Sequence, residues 1–438
     1  MINKTGQNIL LIDGLERAIQ ERSRSAAYPW LKALRENSLE RFQRLGLPTV
    51  KDEDWKYTNI AQLSKHTFEL ADNGTLNERE AFERYTGDDR HLLVFVNGLF
   101  QQKLSKINPE KGLTVIPLQE ALRDHGDEIE KVIKNYESDK ETAFIALNHA
   151  LLDSGCFIKI DKKAVIKSPI HICHVTSSSN GEALTLPRSI IVAGESSQAS
   201  IMESHVAFDD KIIYFANALT DIYMGQNSTL TYCKAQKESL KAFHIGHTRA
   251  WLERGANLKG FSFVTGGAIT RNNLEIILNG EGCNATLDGL YSIYDKMHTD
   301  NHTCVDHRYP NCTSNQLYKG ILNEASRAVF NGKIIVRSIA QLTNSYQLNK
   351  NLLIGKDCRV DTKPQLEIFA DDVKCTHGAT IGQLDEDELF YLQARGISHR
   401  EAMSMLSRGF VDHIVNTVTN ESINRKLHIL LEPSFERF

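Results

Sequence analysis

The sequence predicts a mainly β protein organised around a β-helix, with helical and mixed α/β structure before it and a helical domain after it. Three observations carry that expectation. From about residue 156 to residue 380 the chain reads strand, turn, strand, with hardly any helical periodicity. Inside that stretch a pattern from Gly through small polar residues to an apolar one recurs every 28–30 residues or so, a solenoid-type period. Sharp helix-start signals lie only outside it. The divisions expected are 1–155, 156–381 and 382–438.

Residues 10–45 carry Leu11, Leu15, Ala18 and Ile19, then Leu31, Leu34, Leu39 and Phe42, at helical spacing. Pro29 interrupts the pattern, and Gly46 with Pro48 ends it. Charges fill the other faces, so these helices rest on a body rather than forming a buried hairpin. The run Glu53-Asp-Trp-Lys-Tyr-Thr58 reads as an aromatic anchor tying them down, with a docking patch as the functional alternative. Residues 60–150 look mixed. Leu92–Val96 is a short buried-strand pattern closed by the Asn97-Gly98 turn signal, while Leu118–Lys134 and Thr142–Leu152 read as helices.

The β region holds strand-like segments at Ile170–Thr176, Ser189–Ala193, Ile212–Tyr223, Asn273–Leu278 and Ala328–Val336. The recurring turns are Gly194 to Ile201, Gly225 to Leu230, Gly255 to Leu258, Gly282 to Leu287 and Asn311 to Leu317. Stacked coils bury a ladder of such aliphatic side chains. Strand-and-turn spacing also fits a large β-sandwich, and the period favours the β-helix. After it come Asp385-Glu-Asp-Glu388 and Ser398-His-Arg-Glu401, each a helix start, and a broad apolar stripe through Met403, Leu406, Phe410 and Ile414. A third helix begins near Ser422. The C-terminal helices cover the end of the β-helix, accept a partner, or do both.

Two groups of residues carry candidate chemistry. Cys375 and His377, two apart on a strand, point the same way about 7 Å apart. A soft thiol and an imidazole there can ligate a transition metal or act as nucleophile and base, and the bland alternative is a buried thiol beside a hydrogen-bonded His. The run from His298 to Cys312 contains His302, Cys304 and His307, but without zinc-finger spacing, and it reads as structural. Composition excludes other classes. The formal net charge of −4 with interspersed signs argues against nucleic-acid binding. No apolar run approaches the roughly 18 residues that span a bilayer, the N-terminus lacks a signal-peptide core, and eight irregularly spaced cysteines suggest reduced thiols. A cytoplasmic protein is expected.

A family resemblance joins these pieces. Glu53-Asp-Trp-Lys-Tyr-Thr58, Val94-Phe-Val-Asn-Gly98, Gln316-Leu-Tyr-Lys-Gly320, Val329-Phe-Asn-Gly332, Tyr346-Gln-Leu-Asn-Lys-Asn-Leu-Leu353 and the long block Lys363 to Gly378 resemble the SufD subunits of the SUF iron–sulfur cluster assembly system. His377-Gly-Ala-Thr380 fits SufD better than the related SufB, where Glu-Ala-Thr typically follows the Cys-x-His. The resemblance implies a right-handed parallel β-helix and a scaffold subunit with no complete chemistry of its own. It implies pairing with SufB through the β body and docking of the ATPase SufC on the C-terminal helices, with Met403, Leu406, Phe410 and Ile414 as the contact stripe. It implies a transient iron–sulfur cluster or iron at the SufB interface, with His377 and Cys375 as the contributing residues. No Gly-x-x-x-x-Gly-Lys-Ser/Thr loop is present, so no nucleotide is expected on this chain. Paired bodies make a homodimer plausible when SufB is absent, and the sequence is silent on flavin. A Cys–His hydrolase or acyltransferase, and a metal-free interaction solenoid, are the competing readings.

Overall fold

The computed structural model describes residues 10–70, 75–87, 89–134, 142–177 and 182–435. A parallel β-helix forms its body. Strands alternate between a 12-stranded and an 11-stranded sheet, so each coil contributes one strand to each. Partner residues in successive coils stand 26 to 33 positions apart, as with Phe243 beside Ile269 and Gly155 beside Arg188. The expected strands appear at Ile170–Val175, Arg188–Ala193, Tyr214–Met224, Ile269–Leu278 and Arg327–Val336. Gly255 and Gly282 turn the chain at positive φ, the conformation that costs glycine least.

The apolar ladder read from the sequence is only partly a ladder. Leu230 does lie beside Leu258, but Ile201 lies beside Tyr232 and Leu287 beside Gly260. Leu317 pairs with Asp288 and packs on the outer face of its sheet. Coil lengths vary by several residues, and one position of slip turns a side chain to the opposite face.

Both outer faces are clad. Helices α1 (Leu15–Arg24) and α2 (Pro29–Leu45) lie on one side, with α3 (Arg79–Thr86), α4 (Leu118–Asp124), α5 (Gly126–Lys134) and α6 (Ala143–Ala150) following. The expected helix over 118–134 is broken at His125 into α4 and α5. Trp55 anchors this layer as expected: its ring stacks near Phe144 at 5.7 Å and lies under the Arg271 guanidinium at 3.9 Å. Thr58 donates to Asp300 at 2.6 Å and sits 2.9 Å from His298.

The C-terminal helices are α7 (Glu386–Ala394), α8 (His399–Val415) and α9 (Glu421–Phe435). Asp385 caps α7, and Ser398 with Glu401 forms the capping box of α8. α8 and α9 do not cover the end of the β-helix. They lie across the 11-stranded sheet, where Val411, Ile414, Leu427 and Leu431 pack on Cys233, Phe261, Phe263 and Leu290. A buried ion pair pins them: Lys426 Nζ donates to Asp89 at 2.7 Å, and Asp89 also holds His171 Nδ1 at 2.7 Å.

The two ends of the β-helix differ. Near the start, Leu113–Pro117 runs antiparallel to Gly155–Ile160, and Leu99–Phe100 and Lys106–Ile107 run antiparallel to His91–Val96. At the other end, Arg359–Ile368 and Val373–Gly382 each close a sheet with one edge unpaired among the described residues. The lumen is apolar along one side and polar along the other. Its apolar side includes Ile201, Leu230, Leu258 and Ala285.

Candidate functional site

The Cys-x-His pair lies on the last strand, Val373–Gly382, whose sole neighbour among the described residues is Thr343–Leu353. An edge of this kind offers free N–H and C=O groups to another chain. Register sets Cys375 beside Ser345 and His377 beside Gln347, and both of those partners are buried. Cys375 is half-buried against Leu366 and Val373, at a small cluster with Ile334, Val336 and Ala340. Burial pushes its thiol pKa up, so the reactive thiolate is disfavoured at neutral pH.

His377 differs from Cys375. It is exposed, and among the described residues its side chain makes no hydrogen bond or ion pair. The two therefore share a strand and a pleat face, while the imidazole alone is open to a partner or an ion. Gly378 lies on the opposite pleat face, where a Cβ would sit 3.3 Å from Leu348 Cδ1. Around this edge Tyr346, Ile368, Phe369 and Ile381 are exposed, with Phe369 at 62%. Exposed apolar residues gathered at an unpaired edge mark an interaction surface.

The stripe on α8 is divided by the fold. Ile414 is wholly buried on the sheet, and Phe410 packs against the same cluster with Lys319 Nζ 4.6 Å over its ring. Met403 and Leu406 are half-exposed, and Met405 is exposed. The outermost element is α7, which buries no residue and presents Phe390 at 72% and Tyr391 at 57% exposure.

The histidines at 298–307 are each engaged by neighbouring side chains. His302 Nε2 meets Asp300 at 3.0 Å, His298 meets Thr58, and His307 Nε2 meets Ser314 Oγ at 2.9 Å in the lumen. Sequence reading missed a different set. His174, Glu203 and His205 meet inside the β-helix, with Glu238 and His244 alongside. The available signal was Glu203-x-His205 on one strand, with His174 about one coil earlier.

Comparison with known proteins places the chain. Residues 174–410 match the family described as SUF system FeS cluster assembly, SufBD core domain, and residues 7–172 match the SufBD protein N-terminal region. The iron–sulfur cluster assembly protein SufD of Escherichia coli is 32% identical, over 89% of this chain and 89% of its own length. An iron–sulfur cluster assembly SufBD family protein of Synechocystis is 30% identical over 95% and 91%. SufD of Bacillus subtilis is 27% identical over 92% and 93%. The chain therefore belongs to the SufBD family of the SUF iron–sulfur cluster assembly system, and its likeness to SufD extends over most of its length.

Proposed function

We propose that this chain is a SufD-type scaffold subunit that lends His377 to a cluster-assembly site shared with a SufB-type partner. The observation that carries the reading is the exposed, unpartnered imidazole on an unpaired edge strand ringed by apolar residues. The partner adds to that edge by strand pairing, and its own ligands complete the site. Iron or a nascent cluster is the cargo there, since imidazole and thiolate both suit iron. Cys375 becomes a ligand once a metal lowers its pKa, because a coordinating thiol loses its proton. Work is supplied from outside the chain. An ATPase of the SufC type docks on α7 and the outer side of α8, through Phe390, Tyr391, Met403, Met405 and Leu406, with Phe410 and Ile414 supporting the surface from beneath. The assembly operates in the cytoplasm, and the chain is not an enzyme by itself. The raised pKa of Cys375 weighs against the hydrolase reading.

The test is reconstitution of the full chain with SufB- and SufC-type partners, followed by measurement of bound iron and acid-labile sulfide. His377→Ala should leave the complex assembled and lower cluster yield about tenfold or more, as loss of a ligand does at metal sites. Undiminished yield from an intact complex carrying this substitution overturns the assignment.

A further inference from the structure

We propose that His174, Glu203 and His205 form a binding site for a divalent first-row transition-metal ion, Fe2+ or Zn2+, inside the β-helix. The proposal stands on the lumen alone and does not depend on the role given to His377.

Two strands and their pleat build the site. His174 lies on Ile170–Val175, and Glu203 and His205 lie two apart on Gln198–Val206, in register with it. Ile172 and Ile201 on the same faces belong to the lumen core, so these side chains enter the lumen too. The imidazoles stack at 4.8 Å, and their Nε2 atoms stand 3.6 and 3.7 Å from Glu203 Oε1. Those separations are too long for hydrogen bonds. They are close to the spacing of ligands around one tetrahedral ion, whose bonds of about 2.0–2.2 Å set neighbouring ligand atoms roughly 3.4 Å apart.

A second observation points to a ligand. Both ring nitrogens of His174 and Nε2 of His205 are buried without a hydrogen-bond partner among the described residues. Buried polar atoms are rarely left so, because each costs the desolvation of a lost hydrogen bond. An ion at this point satisfies Nε2 of both histidines at once. The carboxylate is already held in place: Ser189 Oγ donates to its Oε1 at 2.9 Å, and Thr220 Oγ1 and Tyr232 OH donate to its Oε2 at 2.8 and 2.6 Å. Fixed outer partners of this type orient metal ligands. His205 also belongs to a neighbouring group with His244 and Glu238. There Glu238 holds His244 Nδ1 at 2.7 Å and leaves Nε2 without a partner, a donor poised beside the first set.

Ligand type and access agree. Lys234 Nζ is held by Asn272 at 3.2 Å. Two imidazoles and a carboxylate suit Fe2+ or Zn2+ rather than Ca2+ or Mg2+. A lumen cavity of about 40 Å³, bordered by Tyr232, Lys234, Asn272 and Thr303, adjoins the site and has room for water beside it.

The full-length chain, stripped with chelator, is titrated with Co2+ as a spectroscopic probe, then with Zn2+ and, without oxygen, Fe2+. One equivalent should bind, and X-ray absorption of the Zn2+ form should show nitrogen and oxygen neighbours, including imidazole, without sulfur. His174→Gln and Glu203→Gln should each weaken binding about tenfold to a hundredfold or more. His302→Gln should bind as the parent does. Absence of a stoichiometric ion, sulfur in the coordination shell, unchanged affinity in folded His174→Gln, or loss of binding in His302→Gln overturns the proposal. The absorption measurement decides the matter if the lumen variants fail to fold.

Discussion

His205 and His377 occupy equivalent faces near opposite ends of the same lumen, and the fold gives them opposite properties. His205 is closed in by coils on either side and by Glu203, so its chemistry is fixed by what is built around it. His377 has a coil on one side only and is exposed, so its chemistry depends on what arrives. A stacked solenoid makes this distinction by position. Interior coils enclose every inward side chain, and only a terminal coil leaves its inward row open. Catalytic or cargo-handling groups that a partner must reach therefore belong at an uncapped end.

The comparison is most easily broken at the closed end. Glu203→Ala removes the acceptor of Ser189, Thr220 and Tyr232 together, leaving three buried hydroxyls unmatched. A loss of about 4 kcal/mol is expected, read as a lower urea midpoint at unchanged slope. A loss below ~1 kcal/mol would mean that the lumen network is not structural.

A smaller effect separates the buried histidines by pH. His307 is enclosed in the lumen, and burial draws its imidazole down to about 4 against the opposing pull of Asp306. The folded chain thus refuses a proton that the unfolded chain accepts below about 6.5. Its contribution is present above that value and is lost as pH falls toward 4. This one group should make the protein about 2 kcal/mol less stable at pH 5 than at pH 7. Urea unfolding of His307→Gln at both pH values should show a correspondingly weaker dependence than the parent, and identical dependence would refute it.

The smallest effect sharpens the open end. His377→Ala removes an exposed side chain without internal partners, so stability should change by less than ~0.5 kcal/mol. The same substitution is the one expected to abolish most cluster yield. A large drop in melting temperature would instead make His377 a structural residue.

Much of this was legible in the chain. Short β-branched segments and small-residue turns announce a β-helix, and Asp385 and Ser398 announce their helices because caps are local chemistry. Cys375 and His377 were legible as a pair because two residues on one strand need no long-range information. Whether each was buried was not, since that depends on Leu366 and Ile334 from other coils. What the stripe through Ile414 packs against was not legible either, because periodicity reports one apolar face without saying what covers it. The lumen histidines were hidden for the converse reason. His174 and His205 meet only through stacking one coil apart, and a varying coil length blurs that repeat.

The pinning of α9 has a consequence in time. A β-helix can fold coil by coil as it leaves the ribosome, because each strand needs only the one before it. The outer face of the 11-stranded sheet cannot be finished that way. Its cover, and the Lys426 ammonium that pairs with Asp89, are made more than 250 residues after the strand carrying His171. At about 5–20 residues per second, the strand carrying His171 waits roughly ten to fifty seconds for that helix. Through this interval the apolar sheet face and a buried-to-be carboxylate stand open to chaperones and to other nascent chains. Once α9 docks, segments 337 residues apart in sequence are joined by the Lys426–Asp89 contact, and coils laid down one by one are tied together across the sheet.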